Sequence, residues 1–504
     1  MSKNRAISTT VIAVLALLYI SVRFWGLTNS CLWFDEIFSV HAAQHSWNTI
    51  FSFVAQDLIH PPLFYILLKL WINVGGESVY WLRMFPVLFA CLSIIPFLFL
   101  CKELTIGRTA TAIAFFLITV NGSLIKYAQE VRMYSLLQFT SLVSIWLFVR
   151  YFRKGKNLVP LIIVNVLLVY SHYFGWFVVS GEVLAIIAFH RIKVRAILLM
   201  LVVSAFSFIP WAIAVWRFYS AGADVGQNIG WIQKPGSLEI TQFVLNLVEP
   251  FYYAASSIDA ISVFRITLPI LVILVAALIL FVVDWKKHSD EDRETAKLLL
   301  LFVLVPQSLV FIASWAMANS IWGTRHLIIV FAPFSILMAA AVSKIRSPFF
   351  RVASMTLIVL FGGYACLNSA QREAVTYSWC AWEPLARTAK SSDRSNIYAF
   401  EDLTAYHLWF GENSDPTRMS VFRVENIDGL VEDKAYFLPR GFDEVKRIDF
   451  ASINEPRLWI AFRSKDLTEK EPPLRNFLVK GYHVVDQKTM TAGTEKAIFL
   501  LLEK

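Results

Sequence analysis

The chain has 504 residues, of which 57% are hydrophobic and only 16% are charged, whereas soluble domains carry about 25% charged residues. This composition excludes a disordered protein and an ordinary cytosolic enzyme, and it indicates a polytopic membrane protein. The net charge of +9 comes largely from short basic clusters between apolar runs. A nucleic-acid-binding protein would instead carry its basic residues on one soluble face.

Charged residues divide the chain into two parts. Residues 371–504 hold 40 of the 83 charged residues, and residues 1–370 hold the others. We therefore predict a membrane domain over 1–370 and an extracytoplasmic α/β domain over 371–504. The five cysteines show no CxxC spacing. We interpret them as small buried apolar residues, not as a zinc site or a disulfide framework.

Eleven apolar segments are predicted to cross the bilayer as helices, each of which needs about 20 mostly apolar residues. The first has no small-residue cleavage site before Arg23, so we interpret it as an uncleaved helix and not as a signal peptide. The predicted spans are 8–26, 82–101, 109–126, 133–150, 158–171, 174–190, 196–216, 263–283, 298–317, 327–343 and 352–369.

Basic loops predict the orientation of these spans, because cytoplasmic loops are enriched in Lys and Arg. The N-terminus and every second connection are basic. This pattern requires two crossings between residues 158 and 190, with a turn at 171–175, and it places the N-terminus inside and the tail outside. The basic loops are 102–108, 150–156, 190–195, 285–293 and 344–351.

The first outer connection, residues 27–81, is long enough to carry function. Within it, Pro61 and Pro62 precede an apolar run, and proline is favoured at a helix start. We predict a juxtamembrane helix over 63–71 that lies along the outer surface. The alternative is a short span, which would move the later basic loops to the other side.

The tail alternates strand-like and helical patterns, which predicts an α/β fold. It contains no Gly-rich phosphate loop and no nucleophile elbow. A helix is predicted over 403–410. Strands are predicted over 396–400, 419–424, 435–438, 457–462, 482–485 and 497–502.

Two pairs of polar residues in the first outer loop are candidates for chemistry. Asp35 and Glu36 are adjacent acids in an aromatic setting. Burial raises the pKa of a carboxyl group and favours a general base, while solvated loop acids or a helix cap are the alternative. Asp57 and His60 are ligand types that suit a divalent ion, and the alternative is capping by Asp57 beside an exposed His60.

Further polar residues lie at the outer ends of later spans. Arg132 is suited to bind a phosphate through two hydrogen bonds, or else to snorkel to the lipid headgroups. Glu182 lies mid-span, where it is costly unless paired, and His172 and Tyr173 are its candidate partners. The other outer candidates are Lys126, Glu130, Tyr134, Arg325 and His326. Such a set suits an enzyme in which a base activates a hydroxyl and cations stabilise a leaving lipid phosphate.

In this order, the motifs resemble those of the GT-C membrane glycosyltransferases, in particular the protein O-mannosyltransferase and lipid A aminoarabinose transferase superfamily (glycosyltransferase family 39-like). The resemblance covers residues 1–345. It implies a polytopic α-helical fold of about eleven spans, with juxtamembrane helices in the first outer loop and a C-terminal α/β domain. The motifs are Trp33-Phe-Asp-Glu36, His60-Pro-Pro-Leu-Phe-Tyr65, Leu82-Arg-Met-Phe-Pro86, Gln129-Glu-Val-Arg-Met-Tyr134, Ser171-His-Tyr-Phe174 and Arg325-His326.

The resemblance implies inverting transfer of a sugar from a polyprenyl-phosphate donor to a lipid, glycan or protein acceptor at the outer face. Asp35 would be the general base or position the acceptor, and Glu36 would assist it. The implied donor-phosphate residues are Arg132, Arg325, Lys126, His172 and Tyr173, and the implied substrate-binding residues are Glu130, Tyr134 and His326.

The resemblance leaves a divalent metal open, because one branch of the superfamily has a metal site and the other does not. Asp57 and His60 are the candidate ligands. The expected partners are membrane lipids, the lipid-linked donor and the acceptor, in a bacterial inner membrane, with no nucleic acid. Two alternatives remain: a transporter or channel for a lipid or sugar, and a membrane-anchored binding protein that acts through its tail.

Overall fold

A computed structural model describes residues 3–189, 194–250 and 263–370, and residues 377–504 except for 414, 416, 429–434, 466, 469–470 and 493–494. The chain forms two compact units. The helical unit contains residues 1–27, 58–225 and 232–373, and the tail unit contains residues 28–57, 226–231 and 374–504. Part of the first predicted outer loop therefore folds with the tail. The single boundary at residue 370 stays a prediction.

The helices follow the apolar runs of the sequence. Those before residue 251 are α1 (Lys3–Phe24), α2 (Phe34–Gln44), α3 (Ile50–Asp57), α4 (Leu63–Gly75), α5 (Val79–Leu92), α6 (Ile94–Glu103), α7 (Arg108–Val120), α8 (Gly122–Gln129), α9 (Tyr134–Lys154), α10 (Leu158–Ser171), α11 (Gly175–Phe189), α12 (Val194–Ser220), α13 (Gly226–Ile229) and α14 (Ser237–Asn246). Those after it are α15 (Leu268–Val283), α16 (Asp290–Ala316), α17 (Phe331–Ser343), α18 (Pro348–Ala370), α19 (Trp382–Lys390), α20 (Asp402–Asn413) and α21 (Pro472–Val479).

Helices of the helical unit lie over all eleven predicted spans, and the spans 82–101 and 109–126 are each divided between two helices. By length and composition, seven helical segments of the described chain can cross a membrane, and five shorter apolar helices accompany them. α4, the predicted juxtamembrane helix, is one of the five. Helices satisfy their own backbone hydrogen bonds, which lipid requires. Together these apolar helices identify an integral membrane protein with the predicted fold class.

The predicted turn between two short spans is confirmed. α10 ends at Ser171 and α11 begins at Gly175. A side chain at Gly175 would come within 2.7 Å of the Leu168 carbonyl oxygen. Glycine is therefore required for the close approach of the two helices. This turn places residues 172–174 at the helix ends, where His172 is a buried candidate site residue.

The predicted span 109–126 is broken by an extended residue. The run 109–126 forms two helices because Asn121 interrupts it with an extended backbone. The Asn121 side chain accepts a hydrogen bond from the Leu124 N–H at 3.0 Å and donates to the Asn246 carbonyl at 2.9 Å. The first contact caps α8, and the second ties the start of α8 to the end of α14.

The tail unit contains a six-stranded mixed sheet in the order β3-β2-β1-β4-β6-β5. The first four strands pair in parallel, while β6 is antiparallel to β4 and β5. Alternate apolar residues of the central strands form its core. The strands are β1 (Ile397–Ala399), β2 (Val421–Glu425), β3 (Lys446–Asp449), β4 (Arg457–Ser464), β5 (His483–Ala492) and β6 (Glu495–Glu503).

The strand predicted over 435–438 is wrong. The Leu438 N–H donates to the Asp402 carboxylate at 3.0 Å and not to a strand. The third strand is instead β3, of whose four residues three are charged and exposed at the sheet edge. A short charged edge strand has no apolar alternation for a sequence pattern to detect.

The helix α2 folds with the tail unit through aromatic contacts and a disulfide. The His41 Nδ1 lies 2.9 Å from the Tyr406 hydroxyl, and its ring centroid lies 4.7 Å from that of Trp409. Cys31 forms a disulfide with Cys380, 349 residues away. The interpretation of all five cysteines as isolated apolar residues is therefore wrong for this pair, since spacing along the sequence carries no signal for such a distant partner.

Candidate active site

The buried centre of the helical unit is built around Arg132, which lies between α8 and α9. Its guanidinium Nη2 donates to His60 Nε2 at 3.1 Å. Arg132 is only 3% exposed and His60 only 4%. Since arginine has no acceptor atom, the His60 Nε2 accepts and the imidazole in this contact is neutral.

Two further imidazoles extend this centre. The ring centroids of His60 and His172 are 5.8 Å apart, and those of His172 and His326 are 5.0 Å apart. The His172 Nδ1 accepts from the Phe174 N–H at 3.1 Å, so its Nε2 carries a hydrogen. Arg132, His60, His172 and His326 are referred to below as the basic cluster.

Hydrogen-bond donors of the basic cluster are not all satisfied. The buried His172 Nε2 and His326 Nδ1 have no hydrogen-bond partner among the described residues. A buried polar atom without a partner is costly in free energy. Such atoms, gathered at one place beside an arginine, suit a site that a polar ligand completes.

Electrostatics favours an anion as that ligand. The pKa of His172 lies well below its usual value, first because the ring is buried and then because His60, Arg132 and Arg325 repel a further positive charge. A negative charge at this position would oppose that repulsion. Arg325 immediately precedes His326, so the start of the turn before α17 contributes to the positive field.

Two buried tyrosines lie beside the basic cluster. The Tyr65 ring centroid is 6.5 Å from that of His60, and the Tyr134 ring centroid is 6.0 Å from that of His326. Both residues are fully buried. Tyr134 was predicted from its motif, whereas Tyr65 was missed, although it ends the motif that His60 begins.

Lys126, Glu130 and Tyr173 have contacts away from the cluster rings. The Lys126 Nζ lies 3.8 Å from a Glu130 carboxylate oxygen, and the lysine side chain is 28% exposed. The Tyr173 hydroxyl donates to the Leu58 carbonyl at 3.3 Å and accepts from Trp211 Nε1 at 3.1 Å. Tyr173 thus fastens the turn after α10 to the chain that leads to His60.

A missed candidate is Glu249, in the connection after α14. Burial raises its pKa to about 7, and its Oε2 has no hydrogen-bond partner among the described residues. Its backbone carbonyl accepts from the Gly122 N–H at 2.9 Å, at the start of α8. A carboxyl group that exchanges a proton near neutral pH suits acid–base chemistry. Only its position in a predicted outer connection pointed to it in the sequence.

The adjacent acids Asp35 and Glu36 occupy the first turn of α2 in the tail unit. The Glu36 carboxylate accepts from the Trp33 N–H at 3.1 Å and is fully buried, so it caps the helix. Asp35 is half-buried in the same turn. The positive end of the helix dipole favours a negative charge at both positions.

Asp57 and His60 each have contacts that do not suit a metal ligand. The Asp57 Oδ1 accepts from Asn228 Nδ2 at 2.9 Å within the tail unit. The His60 Nε2 is bound to the Arg132 guanidinium, whose positive charge opposes a divalent cation at that atom. Within the described ranges, no group of three or more His, Cys, Asp or Glu side chains is arranged to hold a metal ion.

Sequence comparisons give no matching family model and no matching curated protein. Among solved structures, the chain is similar to ArnT from Cupriavidus metallidurans bound to undecaprenyl phosphate, with 10% identity, 99% of this chain and 98% of ArnT covered, and a TM-score of 0.59. The apo state of ArnT gives a TM-score of 0.58 at 10% identity and covers 98% of each chain.

The oligosaccharyltransferase AglB from Archaeoglobus fulgidus, in complex with an inhibitory peptide and a dolichol-phosphate, gives a TM-score of 0.49 at 13% identity. The match covers 83% of this chain but only 64% of the length of AglB. The similarity to ArnT confirms the GT-C fold that the motifs predict, including the C-terminal α/β region.

Proposed function

We propose that the chain is an inverting glycosyltransferase that moves a sugar from a polyprenyl-phosphate donor to an acceptor. The basic cluster carries this proposal. Its buried arginine provides positive charge, and the unpartnered His172 Nε2 and His326 Nδ1 provide polar atoms for a phosphate group. Hydrogen bonds from an arginine to a phosphate are charge-assisted and strong. The shared fold adds support, because the ArnT structure of the same fold is bound to undecaprenyl phosphate.

In the proposed reaction, a hydroxyl oxygen of the acceptor attacks the anomeric carbon of the donor sugar from the face opposite the phosphate. The bond from this carbon to the phosphate oxygen breaks as the new glycosidic bond forms. Asp35 accepts the hydroxyl proton as general base, and Glu36 assists by holding the first turn of α2. The basic cluster stabilises the negative charge that develops on the departing lipid phosphate.

The other predicted residues have supporting roles in this proposal. Arg325 adds positive charge at the phosphate, with Lys126 and Tyr173 at its edge, while Glu130 and Tyr134 contact the sugar or the acceptor. His326, as part of the basic cluster, borders the phosphate and also contacts the sugar or the acceptor. No step is assigned to a metal, since the contacts of Asp57 and His60 do not fit one.

The proposed location is the outer face of a bacterial inner membrane, with the N-terminus in the cytoplasm. The disulfide between Cys31 and Cys380 supports an extracytoplasmic tail unit, because disulfides form and persist in oxidising compartments. The acceptor is a lipid, glycan or protein on that side. The proposed reaction does not depend on the proposed location, because an enzyme with the opposite orientation in the membrane would catalyse the same transfer.

The experiment is a transfer assay in proteoliposomes with a panel of polyprenyl-phosphate-linked sugars, together with a binding assay for undecaprenyl phosphate. We expect Asp35→Asn to abolish transfer and to leave lipid-phosphate binding intact, because the base acts only on the acceptor. Asp224→Asn, at an exposed loop carboxylate, is the control and should behave as wild type. Transfer at the wild-type rate by Asp35→Asn would exclude Asp35 as the base. A wild-type protein that binds no polyprenyl phosphate would overturn the whole proposal.

A further inference from the structure

Three polar side chains form a closed ring inside the helical unit. Ser144 on α9, Asn165 on α10 and Glu182 on α11 are all fully buried. The Ser144 Oγ lies 2.6 Å from both Asn165 Oδ1 and Glu182 Oε1, and the Asn165 Nδ2 lies 2.7 Å from Glu182 Oε2. The candidate partners of Glu182 from the sequence, on its own segment, were therefore the wrong ones.

Three hydrogen bonds in this ring require three protons. The serine hydroxyl supplies one, and the asparagine amide supplies one along its contact with Glu182. If Glu182 were ionised, Ser144 would face two acceptors with a single proton. One pair of oxygen atoms would then lie 2.6 Å apart with no hydrogen between them. A proton on Glu182 Oε1 completes the ring.

Reversal of the asparagine amide does not change this count. With the Asn165 nitrogen and oxygen exchanged, the amide donates to Ser144, the hydroxyl donates to Glu182 Oε1, and the amide oxygen faces Glu182 Oε2. That last contact again needs a proton from the carboxyl group. Glu182 therefore carries a proton in either orientation of the Asn165 amide.

The surroundings also favour a neutral acid. No ion pair involves Glu182 among the residues that the structure describes, and a side chain at the adjacent Gly181 would lie within 3.3 Å of Phe302. An unpaired charge in such an apolar place would be very costly. A protonated carboxyl group in a complete ring avoids that cost.

We infer that Glu182 is held as a neutral carboxylic acid, and that the ring positions the helices which deliver Arg132 and His172 to the lipid phosphate. Arg132 lies two residues before the start of α9, and His172 lies in the connection between α10 and α11. Ser144 is ten residues into α9, so the ring lies about 15 Å along that helix from its start. The second half of the inference rests on the proposed function, and the first does not. Ser144, Asn165 and Glu182 are thus positioning residues.

Infrared spectroscopy of the full chain in detergent tests the protonation directly. The difference spectrum between wild type and Glu182→Gln at neutral pH should contain the carbonyl stretch of a protonated carboxylic acid. Only carboxylate bands in that difference would overturn the inference. This measurement needs no substrate, so its outcome is independent of whether the chain transfers a sugar.

Matched variants test the positioning role. Glutamine at 182 can donate to Ser144 and accept from Asn165, so Glu182→Gln should keep the KM for the lipid-linked donor within about twofold. Asn165→Leu has a similar volume but breaks two contacts, and we expect it to raise this KM roughly tenfold. A Leu variant with lower thermal stability but an unchanged KM would show that the ring only holds the fold. A large KM increase in Glu182→Gln would show that the charge or the proton itself is used.

Discussion

The helical unit contains two buried groups of polar side chains, and both depend on α9, α10 and α11. In the ring of Ser144, Asn165 and Glu182, every contact has a proton when the acid is neutral. In the basic cluster, by contrast, nitrogen atoms of His172 and His326 are left without partners in the described chain, and positive groups repel one another.

This difference distinguishes two uses of buried polarity. A satisfied neutral ring costs little to bury and fixes helices in one arrangement. A charged cluster with unsatisfied polar atoms lowers the stability of the free protein. Binding of a ligand of opposite charge restores that stability. Active sites commonly carry such an imbalance. Four predictions test this difference between satisfied and unsatisfied buried polar groups, from the largest expected effect to the smallest.

Removing the arginine should break the basic cluster most severely. Arg132→Gln keeps a hydrogen-bond donor beside His60 but loses the charge, and we expect the affinity for undecaprenyl phosphate to fall by about 100-fold. Binding to the protein in nanodiscs measures this. Arg108→Gln, at an exposed arginine, is the control. An equal loss of affinity in both variants would mean that only the net charge of the protein affects binding.

A histidine buried without cations should respond to pH through stability and not through binding. The pKa of His41 is lowered to about 3, chiefly by burial and also by the neighbouring His45. The unfolded chain takes up a proton near pH 6.5 and the folded chain does not, so stability is present above that pH and is lost as the pH falls toward 3. Between about pH 7 and pH 5 the loss is about 2 kcal/mol.

Chemical unfolding of the full chain at several pH values measures this loss. His41→Gln, which can still bond Tyr406, should make the decline shallower. It should not remove the decline, because burial also lowers the pKa of His407, to about 4. Identical pH profiles for wild type and His41→Gln would contradict the assignment. Lipid-phosphate binding should be unchanged in this variant.

In the basic cluster, a bound anion should raise the pKa of His172 from its lowered value. Phosphate binding then takes up a proton, and the affinity rises as the pH falls, by up to about tenfold. Calorimetry in buffers with different ionisation enthalpies measures the proton uptake. His172→Gln should remove the proton uptake by the imidazole and leave only the proton uptake by the bound phosphate group. Equal proton uptake in both proteins would show that His172 does not titrate with the ligand.

The smallest effect is expected at the edge of the cluster. Lys126 is partly exposed and already near Glu130, and such ion pairs contribute little. Lys126→Ala should change donor affinity by no more than about twofold, as measured by the KM in the transfer assay. A loss as large as that of Arg132→Gln would place Lys126 on the phosphate, and would remove the distinction between buried and edge cations.

The sequence predicts most of this fold, because apolar runs of sufficient length have few alternatives to a membrane helix. It does not predict the break at Asn121, where the deciding partner is Asn246, far along the chain. It likewise misses β3, which depends on pairing with β2 and not on its own pattern. Local patterns predict local structure, and contacts across the fold decide the exceptions.

For the candidate site, the sequence selects the residue types but not their contacts. Motifs single out His60, Arg132 and His172, yet only the fold shows that they lie together. Glu249 was missed because its raised pKa depends on burial, which no motif signals. The partners of Glu182 were missed because a helix side chain in a bundle contacts neighbouring helices as readily as its own.

The disulfide has a consequence for the order of biosynthesis. Cys31 leaves the ribosome early, but its partner Cys380 follows only after 349 further residues, which include every predicted span after the first. The segment with Asp35 therefore cannot reach its final covalent state until almost the whole chain has been translated and inserted. A truncated chain released before Cys380 is made lacks this bond, and its Cys31 keeps a free thiol.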